Sequence, residues 1–181
     1  ETFTGYHVLG GAEVRLWRPA TETRAEDVIQ TTITAGYAVA GHRIDQSTRL
    51  AWIARLDPVL RAWIALDTDG ALSAAYSVDR AIHQGLDPGP AAGIPVAIKD
   101  IFNTYNMPTE MGSPIWDDFN PGNDARVVTQ LRIAGAIIVG KTVTAEFAVH
   151  NPGPTVNPHD IGYAAGTSST GSAVAVASGM V

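Results

Sequence analysis

The 181 residues are 45% hydrophobic and 17% charged, a balance that suits one globular domain with a sizeable core rather than a disordered chain. A net charge of −6 with no basic cluster offers nothing to a phosphate backbone, so nucleic acid is not an expected partner. Cysteine is absent, which removes disulfides, thiolate metal sites and a cysteine nucleophile, and the apolar runs "AIIV" and "AVAVA" are too short to span a membrane.

Residues 1–20 are poorly periodic, carry no basic region followed by an apolar core, and read as an arm or a short strand pair. The chain begins at Glu1 rather than Met, as a processed or trimmed polypeptide or a fragment would. Glu22 to Ala35 is helix-compatible and stops at Gly36. A second helix fits Gln46 to Arg55, with Leu50, Ile53 and Ala54 at helical spacing. "RAWIALD" (61–67) reads as a strand, and the Ala-rich stretch Ala71–Gly85 as a helix closed by glycine. "IPVAIKD" (94–100) reads as a short buried strand, and 103–122 as irregular surface rich in turn residues. Asp124 is placed to cap a helix running to Gly135, followed by the buried strand "AIIVGKT". "TAEFAVH" offers one helical turn, "NPGPTVNPHDIGYAAG" a long loop, and a final helix starts near Ser169. Strands alternating with helices predict an α/β fold with a largely parallel sheet.

One motif is refused. Gly135 to Thr142 satisfies the phosphate-loop expression G-x4-G-K-[ST], but its variable positions are Ala, Ile, Ile and Val. They form a strand where phosphate binding needs a flexible loop between strand and helix.

Lys99 ends the apolar run "GIPVAIK". Partial desolvation there favours the neutral amine, which can serve as a general base; the plainer reading is a strand-end lysine reaching into solvent. "GTSSTGS" (166–172) gathers hydroxyls and glycines ahead of a helix, as a nucleophile or proton carrier requires and as an ordinary cap also does. The five histidines, at 7, 42, 83, 150 and 159, have no metal-ligand spacing, and nothing local selects His150 or His159 for a serine–histidine pair. Asp100 and Glu146 are the carboxylates nearest these motifs.

Taken in order, "GIPVAIKDIFNTYNMPTEMGSP", "DARVVTQLRIAGAIIVGKTVTAEFA", "PGPTVNPHD" and "GTSSTGSAVAVASGM" resemble the amidase signature family, its malonamidase-like variety above all, over roughly residues 50–181. The resemblance implies an α/β/α layered fold with a mixed, mainly parallel sheet, of which 21–181 is the N-terminal part behind the arm of 1–20. It implies hydrolysis of a linear carboxamide by a Ser-cisSer-Lys triad, with Lys99 as base and Ser168 as the cis-serine relay. A cis bond outside proline costs about 3–4 kcal/mol, so a site must be built to hold it. Thr167 stands where the family usually has glycine, and Thr170 where it has glycine or serine. Ser169 would hydrogen-bond within the site, and Ala148 matches a position whose main chain approaches substrate. The family's nucleophile, in a G-[ST]-x-x-G-G-S motif, falls past Val181, so it would lie beyond the chain or on a second polypeptide. The further expectations are a small-molecule amide substrate, no metal or organic cofactor, a cytoplasmic location, and compatibility with a homo-oligomer. The rival expectation is a non-catalytic amidase-like subunit that binds a partner or an amide ligand.

Overall fold

The computed structural model describes residues 5–9, 12–16, 46–149 and 151–181. The helix expected over Glu22–Ala35 and His150 lie outside the described residues. Near the N-terminus, β1 (Gly5–Leu9) pairs antiparallel with β2 (Ala12–Leu16), with Tyr6 opposite Arg15 and His7 opposite Val14.

Helix α1 runs Gln46–Leu60, one turn past its expected end and through Pro58. Proline withholds one hydrogen bond and costs about 3 kcal/mol in a helix interior. Burial of Leu56 and Leu60 offsets that loss, at about 1.5–3 kcal/mol for each side chain. Strand β3 (Trp63–Leu66) follows, then α2 (Thr68–His83), whose first turn is capped by the Asp67 carboxylate accepting from Gly70 N at 3.0 Å. Gly85, at φ +71°, turns the chain away where an L side chain would be strained.

Strand β4 (Pro95–Lys99), α3 (Arg126–Ile133) and β5 (Ile137–Thr142) form a βαβ crossover. Asp124 does not cap α3. The N-cap is Ala125, without a side-chain bond, because the Asp124 carboxylate is taken by Arg132 Nε at 2.9 Å and by Tyr105 N at 2.9 Å. Short 3-10 turns occupy Pro114–Trp116 and Glu146–Ala148, and α4 spans Thr170–Ala177.

The sheet order is β3-β5-β4. It is mixed: β5 pairs parallel with β4 and antiparallel with β3. Ile53, Leu56 and Leu60 of α1 pack with Val139 of β5 and Val174 and Ala175 of α4, on one face. Val128 of α3 packs with Ile98 and Ile138 on the other. Helices therefore cover both faces, the α/β/α layering that the family resemblance implies. Among the described residues no helix is long and apolar enough to cross a membrane.

Candidate active site

A strand turns successive side chains to opposite faces, and here that alternation sorts the chemistry. In the parallel ladder Lys99 lies opposite Thr142, and Ile98 opposite Lys141. Lys99 and Thr142 face α4; Asp100 and Lys141 point the other way.

On the α4 face, Lys99 Nζ donates to Ser168 Oγ at 2.6 Å, and Thr142 Oγ1 and Ser172 Oγ share a hydrogen bond of 2.7 Å. Ser168 lies just before the Ser169 cap of α4 and Ser172 in its first turn, and the two hydroxyls meet Lys99 and Thr142, the last residues of β4 and β5. Partial burial lowers the pKa of Lys99 from its ordinary value of 10.5, because removing water penalises the ammonium form. A lysine with a lowered pKa against a serine hydroxyl is a device for moving a proton.

The Thr167–Ser168 peptide is trans, like every peptide among the described residues, and the expected cis linkage is corrected on this point. Gly166, at φ +128°, redirects the chain just before the serine, in a conformation that only glycine adopts without strain. Thr167 is β-branched and would crowd a cis junction; it stays exposed on a trans bond. Ser169 is the exposed N-cap residue of α4, with no side-chain capping bond. Ala148 lies on the 3-10 turn, half-buried at φ +59°, its N–H donating to Ala145 O at 2.8 Å. Lys99 and Ser168 are thus brought into contact, with Thr167 and Ser169 flanking the pair.

Behind Lys99 lies a buried ion pair that the sequence did not foretell. Asp100 Oδ1 is 2.6 Å from Lys141 Nζ, both side chains wholly buried. Lys141 also donates to Pro108 O and Thr109 Oγ1, each at 2.8 Å, and Asp100 Oδ2 accepts from Glu110 N at 3.1 Å. Burial presses the Lys141 pKa down, with Asp100 and then Glu110 opposing it. The lysine of the refused phosphate-loop match is therefore a structural cation inside a strand. Thr142 and Ser172 were likewise missed, because their bond joins residues 30 apart.

His159 is exposed, and its N–H closes a turn on Asn157 Oδ1 at 2.9 Å, so "NPHD" shapes a loop. Among the described residues, Glu110, Asp117 and Asp118 form the one group of three with ligand atoms within 4.8 Å of one another; Asp117 and Asp118 are exposed, and Glu110 Oε1 already accepts from Asp118 N. A cavity of about 310 Å³ beside them is lined by Glu110, Ser113, Val143, Thr144 and Pro154, but by neither Lys99 nor Ser168.

Comparison with known proteins decides the family. The family profile described as Amidase matches residues 47–181. The chain belongs to the amidase family. It is 47% identical over 131 residues to a subunit of the glutamyl-tRNA(Gln) amidotransferase of Acidothermus cellulolyticus, covering 69% of this chain and 26% of the relative. It is 39% identical over 162 residues to the putative amidase AmiD of Mycobacterium tuberculosis, covering 87% of this chain and 33% of that one. Among solved structures, the peptide amidase of Stenotrophomonas maltophilia superimposes with a TM-score of 0.66 at 39% identity, over 72% of this chain and 29% of its own. A chain from a vestigial protein complex bearing on the origins of an s-triazine catabolic enzyme gives 0.71 at 36% identity, over 75% and 31%. This amidase-family chain thus spans between a quarter and a third of the length of these relatives.

Proposed function

We propose that this amidase-family chain supplies the lysine–serine half of a site that hydrolyses the C–N bond of a linear carboxamide. The observation that carries the reading is the 2.6 Å bond from Lys99 Nζ to Ser168 Oγ, made by a lysine whose pKa is lowered. Neutral Lys99 takes the Ser168 proton while Ser168 takes the proton of an attacking serine. That serine is supplied beyond Val181 or by a second polypeptide. Its oxygen bonds to the amide carbon, the relay runs backwards to protonate the leaving nitrogen, and water then releases the acyl group. Thr167, Ser169 and the Ala148 main chain border the substrate. The scheme needs no metal or organic cofactor. A second polypeptide fits the likeness to one component of a named amidotransferase and to a chain from a complex. A cytoplasmic location belongs to the same reading.

Thr167 in the place of the family's usual glycine favours a second reading, a non-catalytic subunit that binds an amide ligand without turnover. One experiment separates the two. The naturally encoded protein, with any polypeptide that co-purifies and is identified by intact mass, is assayed for amine release from a panel of linear carboxamides. Hydrolysis that falls about a thousandfold in S168A and in K99M supports the site. Ligand binding without hydrolysis in the unaltered protein supports the second reading, and hydrolysis that survives K99M sinks the first.

A further inference from the structure

The hydrogen bonds that leave Lys99 and Ser168 join into a ring, closed by a backbone bond and by one side chain. From Ser168, the carbonyl oxygen accepts from Ala145 N at 2.9 Å. From Lys99, the chain passes to Asp100, whose carbonyl accepts from Met111 N at 3.1 Å. The two arms meet where Phe147 N donates to Met111 O at 2.8 Å and Ser113 Oγ donates to Glu146 Oε1 at 2.7 Å. Glu146 is held from the other side as well: Oε2 accepts from Asn151 Nδ2 at 3.2 Å, and its N–H donates to Asn151 O at 3.0 Å.

The segment around Glu146 does not hold its shape unaided. Phe147 and Ala148 are consecutive non-glycine residues in the left-handed region, at φ +49° and +59°, and Met111 facing them is there too, at +55°. L side chains adopt that conformation only where the surroundings over-determine it. Here backbone bonds from Glu146, Phe147 and Ala148 hold the turn, and the side-chain bonds added to them come from one carboxylate with two donors, Ser113, which is buried, and Asn151.

We propose that Glu146 is a positioning residue for the Lys99–Ser168 pair. Its carboxylate clamps the strained turn, and the turn sets the Ala145 N–H that fixes the Ser168 backbone opposite Lys99. This inference rests on the amide-hydrolysis reading for its kinetic consequence, but not for its geometric one. Without the clamp, the turn relaxes, Ser168 shifts, and Lys99 gains water and loses its hydroxyl partner.

Of the two lysines in these 181 residues, Lys141 is wholly buried, and the peptide that carries Lys99 reports its labelling by itself. The naturally encoded protein and its E146A, E146Q and S113A variants are labelled with trinitrobenzenesulfonate across pH, and the Lys99 peptide is quantified by mass spectrometry. We expect the E146A midpoint to move up toward the ordinary lysine value of 10.5, and E146Q, which keeps an acceptor for Ser113, to stay with the unaltered protein. In parallel, kcat falls about tenfold in E146A with KM nearly unchanged, as misplacement without lost binding requires. A purely structural role would lower the melting temperature and leave the Lys99 midpoint of the folded protein where it was, and that result overturns the proposal. If E146A does not fold, S113A decides: an unshifted midpoint overturns the proposal and a shifted one supports it. Absence of turnover in the unaltered protein sinks the hydrolysis reading instead, while the labelling still judges Glu146.

Discussion

Lys99 and Lys141 are neighbours on adjacent strands with opposite surroundings. Lys141 is enclosed with Asp100 and keeps three acceptors, an arrangement that suits a permanent cation holding the 107–110 loop against β4. Lys99 has a hydroxyl and partial access to water, and desolvation lowers its pKa with no carboxylate to oppose it. The sign of the pH effect follows. Below the lowered pKa Lys99 is an ammonium and cannot accept a proton; above it, the base is free. The proposed activity therefore rises with pH and levels off, with a midpoint below 10.5 in kcat/KM. The K99R variant keeps the charge but cannot lose it in this range, so it should lose the rising limb together with about a thousandfold of rate. A K99R protein with the unaltered pH profile would show that Lys99 acts only as a charge.

Element by element, α4 begins two residues after Ser168 and anchors that segment on the sheet, and Gly171 sets how closely the helix docks. A Cβ at Gly171 would lie 2.3 Å from Ala62 O and 2.5 Å from Val143 N, both backbone atoms that cannot swing aside. Gly171 N also donates to Val143 O at 3.1 Å. G171A should therefore cost about 1–3 kcal/mol of stability, measured by urea unfolding, and lower turnover by displacing Ser168. Unchanged stability would mean that α4 docks more loosely than the contacts imply. The start of this helix was legible in "GTSSTGS", because hydroxyls and glycine ahead of an Ala/Val run mark a helix entry. Which strand it meets was not legible, since the Thr142–Ser172 bond joins residues 30 apart. Asp124 shows a related limit: local spacing made it a cap, but its carboxylate is taken by Arg132, eight residues on in α3, and by Tyr105 N, 19 residues back. The contact of Lys99 with Ser168 was expected only through the family resemblance, because strand period and helix spacing fix faces and leave partners open.

At the level of the whole molecule, β5 is the axis on which the rest is arranged. It bonds to β3 on one edge and β4 on the other, every one of its six residues is buried, and helices cover it on both faces. Its run "IIVGKT" reads as a fully buried strand because it lacks the polar alternation of a surface strand. The antiparallel entry of β3 between distant segments left no such mark, so its place in the order emerges only in three dimensions. Amide exchange follows from this arrangement, because opening β5 requires loss of both ladders and of both helical layers. In the 181-residue chain, amides of 137–142 should exchange slowest. Those of β3, with one unpaired edge among the described strands, should exchange sooner, and those of 151–169, where the described residues form no named strand or α-helix, sooner still. Exchange mass spectrometry on overlapping peptides reads this order directly. If 63–66 outlasted 137–142, the cooperative core would lie in the α1–β3 layer, and the site would hang from β3 rather than from the strand that pairs with Lys99.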